Sequence, residues 1–158
     1  MSKRIWKAMV IAAALVLVPA ARADGSDSGG GGDTDDSATQ PDYVKGVAAI
    51  KAQRYAEAIA LLGRHVLSHD GHADGHNWLA YAYRKSSRLD DAFRHYKRAL
   101  GIDPQHLGAH EYLGEAYLMA KQPDEARKQL QRLAQLCASQ CEEYRDLQRA
   151  IGEFTAKR

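Results

Sequence analysis

Six of the seven histidines fall into two groups: His65, His69, His72 and His76, followed by His106 and His110. The second group repeats the spacing of His72 and His76 at a constant offset, 72 to 106 and 76 to 110. Neutral imidazoles at such spacing can chelate copper, zinc or nickel. No carboxylate or cysteine completes a set at a recognised ligand spacing, so the same histidines also read as polar turn residues copied along with the turns that carry them. Cys137 and Cys141 are the only cysteines and lie four apart. In an oxidising compartment an even pair reads as a disulfide. Ser139 with Glu142 three residues later has the pattern of a capping box. A turn there brings the two Cα atoms into the range of about 4.4–6.8 Å that a bridge requires. So small a loop constrains the unfolded chain little, and such a bridge serves mainly to fix the angle of the helix that follows. A thioredoxin-type Cys-x-x-Cys is absent, and metal ligation is the other chemistry open to the pair. The chain has no Gly-rich phosphate loop, no Gly-x-Ser-x-Gly elbow and no His-Glu-x-x-His pair. Asp90-Asp91 and Glu142-Glu143 stand at expected helix starts, where they complement the helix dipole. These features point to a non-enzymatic protein and imply no cofactor.

The elements that position these residues are repeated. Trp78, Leu79, Ala80, Tyr83, Ala92 and Tyr96 are matched, at the same offset as the histidines, by Tyr112, Leu113, Gly114, Tyr117, Ala126 and Leu130. That offset, run backwards, finds Val44, Gly46, Ala49, Ala58 and Leu62. A fixed period of this kind marks one supersecondary unit that buries its apolar face against its neighbours. Apolar residues recur at three- and four-residue steps between glycine, proline or polar turns. The pattern predicts helix pairs at 42–52 with 55–68, 73–86 with 89–101 and 107–120 with 123–137, then a last helix at 141–156. Small residues at Gly46, Ala80 and Gly114, facing Ala58, Ala92 and Ala126, let paired helices approach closely, and Trp78, Tyr83, Tyr96 and Tyr117 fill the space around them. The last helix carries Tyr144, Leu147, Ala150, Ile151 and Phe154 on one face. That face is suited to close the open end of the array over Leu130 and Leu133.

The pattern Leu79-Ala80-x-x-Tyr83, Ala92-x-x-x-Tyr96-x-x-Ala99 and Pro104, followed by Leu113-Gly114-x-x-Tyr117, Ala126 and Leu130, resembles the tetratricopeptide repeat, a helix-turn-helix unit of about 34 residues. The expected fold is all-α: three such repeats, at about 39–72, 73–106 and 107–140, in a short right-handed solenoid closed by the capping helix at 141–156. The first copy departs from the pattern, with Lys45 and Ala49 in place of leucine and tyrosine. The family's early tryptophan position holds Asp42, His76 and His110. The resemblance implies that the first helix of each pair lines a concave groove that binds a peptide or protein. On this chain that groove would present Tyr43, Val47, Ile50 and Lys51, then Asn77, Tyr81, Arg84 and Lys85, then Glu111, Glu115, Leu118 and Met119. Tyr81 and Asn77 offer a ring and an amide to an extended backbone, and Arg84 and Lys85 a pair of cations to a carboxylate.

Ahead of the repeats, residues 1–23 begin with Lys3, Arg4 and Lys7, continue through an apolar run from Ala8 to Ala20 and end in Ala21-Arg22-Ala23, a small-x-small cleavage site. This reads as a secretory signal cut after Ala23, too short in its apolar part to span a hydrocarbon core needing about 20 residues. It predicts export to the periplasm, with no membrane span after cleavage. Residues 24–40 hold Gly, Ser, Thr and five aspartates and nothing apolar larger than alanine, the composition of a flexible tether. The domain is then 41–158. Removal of the signal leaves 18 basic against 20 acidic residues, a net of −2, and the part from Pro41 onward carries 18 against 15, a net of +3. So mild a charge, without a basic stripe interleaved with aromatics, excludes a nucleic-acid partner. The expected function is a protein-binding adaptor of the bacterial envelope, with self-association as a further way to complete a modest core, and metal handling by the edge histidines as the competing class.

Overall fold

The computed structural model describes residues 41–157, and the expected signal segment and tether lie outside them. Within that span there are seven helices: α1 (Pro41–Lys51), α2 (Tyr55–Ser68), α3 (Ala73–Lys85), α4 (Leu89–Ile102), α5 (Leu107–Met119), α6 (Pro123–Cys137) and α7 (Glu142–Ala156). They begin and end within a residue or so of the predicted positions. Acidic first turns in α2, α3, α4, α6 and α7 complement the dipole, and Pro123 occupies the first turn of α6, where no backbone donor is lost. Each first helix of a hairpin stops the same way. Gln53, Ser87 and Lys121, one period apart, adopt left-handed φ values of 57°, 60° and 59°. The next amides, of Arg54, Arg88 and Gln122, reach back to the carbonyls of Ala49, Tyr83 and Tyr117 at 2.8–2.9 Å. This is the Schellman stop of a helix, made here without glycine.

Packing follows the repeat. α1 pairs with α2, α3 with α4 and α5 with α6, and α2 and α4 then receive the next hairpin on α3 and α5. α1 also touches α3, and α3 touches α5, whereas α2, α4 and α6 make no such contact with one another among the described residues. The first helices therefore form an inner layer and the second helices an outer one, which gives the array its curvature. Ala58, Ala92 and Ala126 are all fully buried, as the repeat requires. Where the two layers meet, the space left for a first-helix side chain is small. A Cβ at Gly46 would lie 2.6 Å from Leu62 Cγ.

α7 is more than a lid. It packs on both α5 and α6, as α3 packs on α1 and α2. The repeat spacing also runs on into it, with Leu147 following Leu79 and Leu113, and Ile151 following Tyr83 and Tyr117. α7 thus packs as a fourth first-type helix, with no second-type helix following it among the described residues. Leu147 and Ile151 are buried with Leu118, Ala126 and Leu133, flanked by Tyr144, Ala150 and Phe154. At Gly114 a Cβ would come 2.5 Å from Leu147 Cδ2, so glycine there is what allows α7 to seat. One local expectation is corrected. Ser139 does not cap this helix: Ala138 and Ser139 both take left-handed φ, and Cys141 is the N-cap, without a side-chain bond. The Cα atoms of Cys137 and Cys141 stand 5.8 Å apart across that turn, with their sulfurs in contact.

Candidate functional site

The inner layer is ordered in tiers, because equivalent residues of α1, α3 and α5 lie side by side. One tier is Tyr43, Asn77 and Glu111; the next, one turn on, is Val47, Tyr81 and Glu115; the third is Ile50, Arg84 and Leu118, with Lys51, Lys85 and Met119 outside it. The groove residues expected from the sequence therefore come together, but at different depths. Lys51, Lys85 and Met119 are exposed, Tyr43, Val47, Tyr81 and Glu115 are half-buried, and Ile50, Asn77, Arg84, Glu111 and Leu118 are buried. Arg84 is not free to meet a ligand carboxylate, contrary to the expectation from its position. It is 7% exposed, pairs with Glu115 at 2.5 Å, donates from Nε to the Tyr96 hydroxyl at 3.3 Å and lies over the rings of Tyr81 and Tyr112. Leu118 belongs to the core beneath α7.

The groove floor is aromatic. Tyr81 meets Tyr112 edge-on at 5.0 Å between centroids and Trp78 at 5.8 Å, and Tyr55 and Trp78 extend the set. Trp78, expected among the space-fillers of the core, is only partly buried and shares this floor with Tyr112. Half-buried rings of this kind offer rigid contact area at little entropic cost. Burial pushes the Tyr112 hydroxyl up to about 12, so it stays a neutral donor. Toward α7 the surface turns acidic. Glu111 is 8% exposed. Burial raises its carboxyl to about 8, with repulsion from Glu115, Asp146 and Glu143 adding to the shift and Arg84 opposing it.

The histidines are divided among several contacts. His65 Nε2 lies 2.7 Å from His72 Nδ1, both rings stand against Tyr43, and His65 stacks on His69. His76 Nε2 donates to the Asp70 carbonyl at 3.1 Å, which leaves its Nδ1 to accept from His95 Nδ1 at 3.0 Å. Burial, reinforced by His76, holds His95 down to about 4, so it stays neutral. One period later His110 repeats the arrangement, donating to the Pro104 carbonyl at 3.1 Å and meeting the Gln129 carboxamide at 2.8 Å. With Nε2–H so used, neutral His110 is satisfied when Gln129 presents its NH₂ group. His76 and His110 thus replace the family's early tryptophan with a buried clasp that ties each first helix to the preceding turn and to its partner helix. His106 caps α5 through Nδ1, accepting from Ala109 N–H at 3.2 Å, and its Nε2 donates to Asp74 at 3.0 Å. That hydrogen bond raises the His106 pKa and lowers that of Asp74. No three His, Cys, Asp or Glu side chains among the described residues are grouped so as to hold a metal ion. His95 carries no expectation from the sequence, although a signal was present: it stands as far beyond His76 as Gln129 stands beyond His110.

A curved array of helical hairpins with its first helices turned inward defines a helical-repeat protein. Two family models, both described as tetratricopeptide repeat, match residues 43–106 and 83–151. Together they cover well over half of the chain, which belongs to the tetratricopeptide repeat family. Among curated proteins it is 31% identical over 132 residues to the inactive TPR repeat-containing thioredoxin TTL3 of Arabidopsis thaliana, covering 77% of this chain and 18% of that one. The chain thus spans less than a fifth of that relative's length. Among solved structures it is similar to the first TPR of Spaghetti (RPAP3) bound to the HSP90 peptide SRMEEVD, with TM-score 0.67, 20% identity, and 77% of this chain and 96% of that chain covered. It is also similar to the second TPR domain of human RPAP3 in complex with the HSP70 peptide SGPTIEEVD, with TM-score 0.64, 18% identity, and 72% and 92% covered. At these identities the likeness concerns the fold. No helix among the described residues is long and apolar enough to cross a membrane.

Proposed function

We propose that this chain is a non-enzymatic adaptor that holds a segment of a partner protein on its concave face. The observation that carries this reading is the floor of Trp78, Tyr81 and Tyr112, whose rings pack together yet stay partly open to solvent. An aromatic surface that the fold does not cover is the usual core of a protein interface. The exposed rim of Lys51, Lys85 and Met119 surrounds it. The structural neighbours named above hold peptides, which supports the same use of the fold here. Export to the bacterial envelope follows from the amino-terminal sequence, and there the Cys137–Cys141 pair would be an oxidised staple at the hinge before α7. A photo-crosslinking residue at position 81 is expected to give adducts with a partner in envelope extract, while the same residue at Lys97 on the exposed outer layer gives none. Equal labelling from both positions would defeat the reading. Enlarging Ala21 and Ala23 is expected to leave an uncut, heavier product; an unchanged mass would remove the export step.

A further inference from the structure

The turns that join one hairpin to the next are not built alike. Between α2 and α3 the chain contains Gly71, and between α4 and α5 it contains Pro104. Both residue types interrupt a helix, glycine by its backbone freedom and proline by its missing donor, and neither turn holds a residue of left-handed φ. Around the α6–α7 turn there is no glycine and no proline from Asp124 to Ile151. The chain turns there on Ala138 and Ser139, whose φ values of 49° and 62° crowd each Cβ against the carbonyl that follows. Gln140 N–H donates to the Cys137 carbonyl at 2.9 Å across this turn. Alanine, serine and glutamine at 138–140 are all tolerated inside a helix, and a helical course would pair the last carbonyls of α6 with the first amides of α7. In the place of a helix breaker stands the Cys137–Cys141 pair, with Cα atoms 5.8 Å apart and sulfurs in contact.

We propose that the Cys137–Cys141 bridge keeps α7 on its own chain, and that its reduction lets α6 and α7 join into one helix and exchange α7 with a second copy of the protein. The inference goes beyond the adaptor reading and does not depend on what the concave face holds. A dithiol supplies the electrons: the Sγ–Sγ bond breaks, each sulfur takes one electron and one proton, and the two sulfurs of the reductant join in a disulfide of their own. The turn is open to such a reagent, since Ala138, Ser139 and Gln140 are exposed and both cysteines are half-buried. Without the bridge the left-handed pair relaxes into helix, and α7 is drawn from its seat. The seat does not stay empty, because Leu118, Ala126 and Leu133 would then meet water, as would Leu147 and Ile151. A second copy brings the matching occupant: the space left by Gly114 fits Leu147, whose Cδ2 a Cβ there would approach to 2.5 Å. Exchange in both directions gives a closed two-fold dimer that restores every contact of α7. A short hinge under backbone strain favours this route.

The test is the mass of the purified protein in solution, measured by light scattering before and after treatment with dithiothreitol. The oxidised protein is expected to be a monomer whose cysteines resist alkylation, and the reduced protein a dimer of twice that mass with its helical spectrum retained. Cys137→Ser with Cys141→Ser should be dimeric without reductant. Ala138→Gly with Ser139→Gly should stay monomeric after reduction, since glycine takes the left-handed turn freely and disfavours a continuous helix. A photo-crosslinking residue in place of Tyr144, in unlabelled protein mixed with isotope-labelled protein, should link α7 of one copy to α5 or α6 of the other after reduction only. A reduced protein that stays monomeric or unfolds would overturn the proposal. So would two thiols open to alkylation in the untreated monomer, a glycine variant that dimerises as the parent does, or cross-links confined within single copies. Adducts from position 81 report on the concave-face reading separately, so either reading can fail alone.

Discussion

The second and third repeats share a scaffold and differ in what they present. His76 with Asp70 and His95, and His110 with Pro104 and Gln129, build the same clasp one period apart, so a polar device at the hairpin's open end recurs while its partner changes from a ring to an amide. On the inner layer the pairs are Asn77 and Glu111, Tyr81 and Glu115, Arg84 and Leu118, and in each pair the chemistry has changed. The scaffold positions are fixed by packing against both neighbours, whereas inner-layer positions face only one layer and can vary without loss of the fold. The second repeat offers rings and an internally paired cation. The third, closed by α7, offers carboxyl groups.

The largest effect is expected where the array ends. Leu147→Ala removes a fully buried side chain that seats α7 against Gly114, and should cost about 3–5 kcal/mol in a denaturant titration. The equivalent Leu113→Ala, inside the array, should cost a similar amount if α7 is a true fourth first-type helix. A cost below about 1 kcal/mol for Leu147→Ala would reduce α7 to a loosely attached tail. Next comes Arg84→Met, which leaves Glu115 without its cation beneath the ring floor and is expected to cost about 3 kcal/mol, as for other buried pairs broken on one side. Adding Glu115→Gln should restore part of that loss. No recovery in the double variant would mean that the ring packing of Arg84, rather than the ion pair, holds the second and third repeats together.

The helices, their pairing and the cap face were legible in the sequence because each depends on local periodicity and on small residues at a fixed offset. Depth in the groove was less legible. Arg84 looks exposed by type, and only the juxtaposition of Glu115, Tyr96 and two rings makes its burial favourable. Asn77 and Glu111 were placed in the groove by their register, but their burial depends on how closely α3, α5 and α7 approach. The histidines were legible in part: the repeat set His76 and His110 in equivalent places with different partners, His95 and Gln129, whereas the contact of His65 with His69 and His72 has no counterpart in the spacing. Ser139 had the residue type of a cap, but two successive left-handed residues displaced the helix start to Cys141.

The pH dependence of stability should separate the acidic third repeat from the second. Glu111 ionises near its ordinary value of 4.5 when unfolded and at about 8 when folded. Between those values the folded state holds a proton that the unfolded state has released, so stability falls as pH rises from about 4.5 to about 8 and then levels. His106, raised by Asp74, contributes stability that is lost through the upper part of the same window. His95, depressed to about 4, acts in the opposite sense, with stability lost as pH falls below about 6.5. The difference between the protein and Glu111→Gln isolates the carboxyl. The variant's melting temperature should decline less between pH 5 and pH 8, with the curves closest at the acid end. Parallel curves would show that Glu111 is solvated like a surface carboxylate.

The smallest expected effect asks whether the scaffold is copied as closely as the backbone implies. Gln53, Ser87 and Lys121 hold φ near 60° at the same point of three hairpins, where an L side chain costs roughly 1–2 kcal/mol against glycine. The gain on replacement is reduced by about 0.4–1 kcal/mol, because glycine also frees the unfolded chain. Gln53→Gly, Ser87→Gly and Lys121→Gly should therefore each stabilise by several tenths of a kcal/mol to about 1 kcal/mol, and by the same amount, since all three side chains are exposed. Equal gains measured by denaturant titration would establish that the turns are interchangeable and that what distinguishes the repeats resides in the inner layer. A gain at Gln53 and Ser87 with a loss at Lys121 would show instead that the acidic third repeat uses its turn lysine, and that the scaffold has diverged along with the groove.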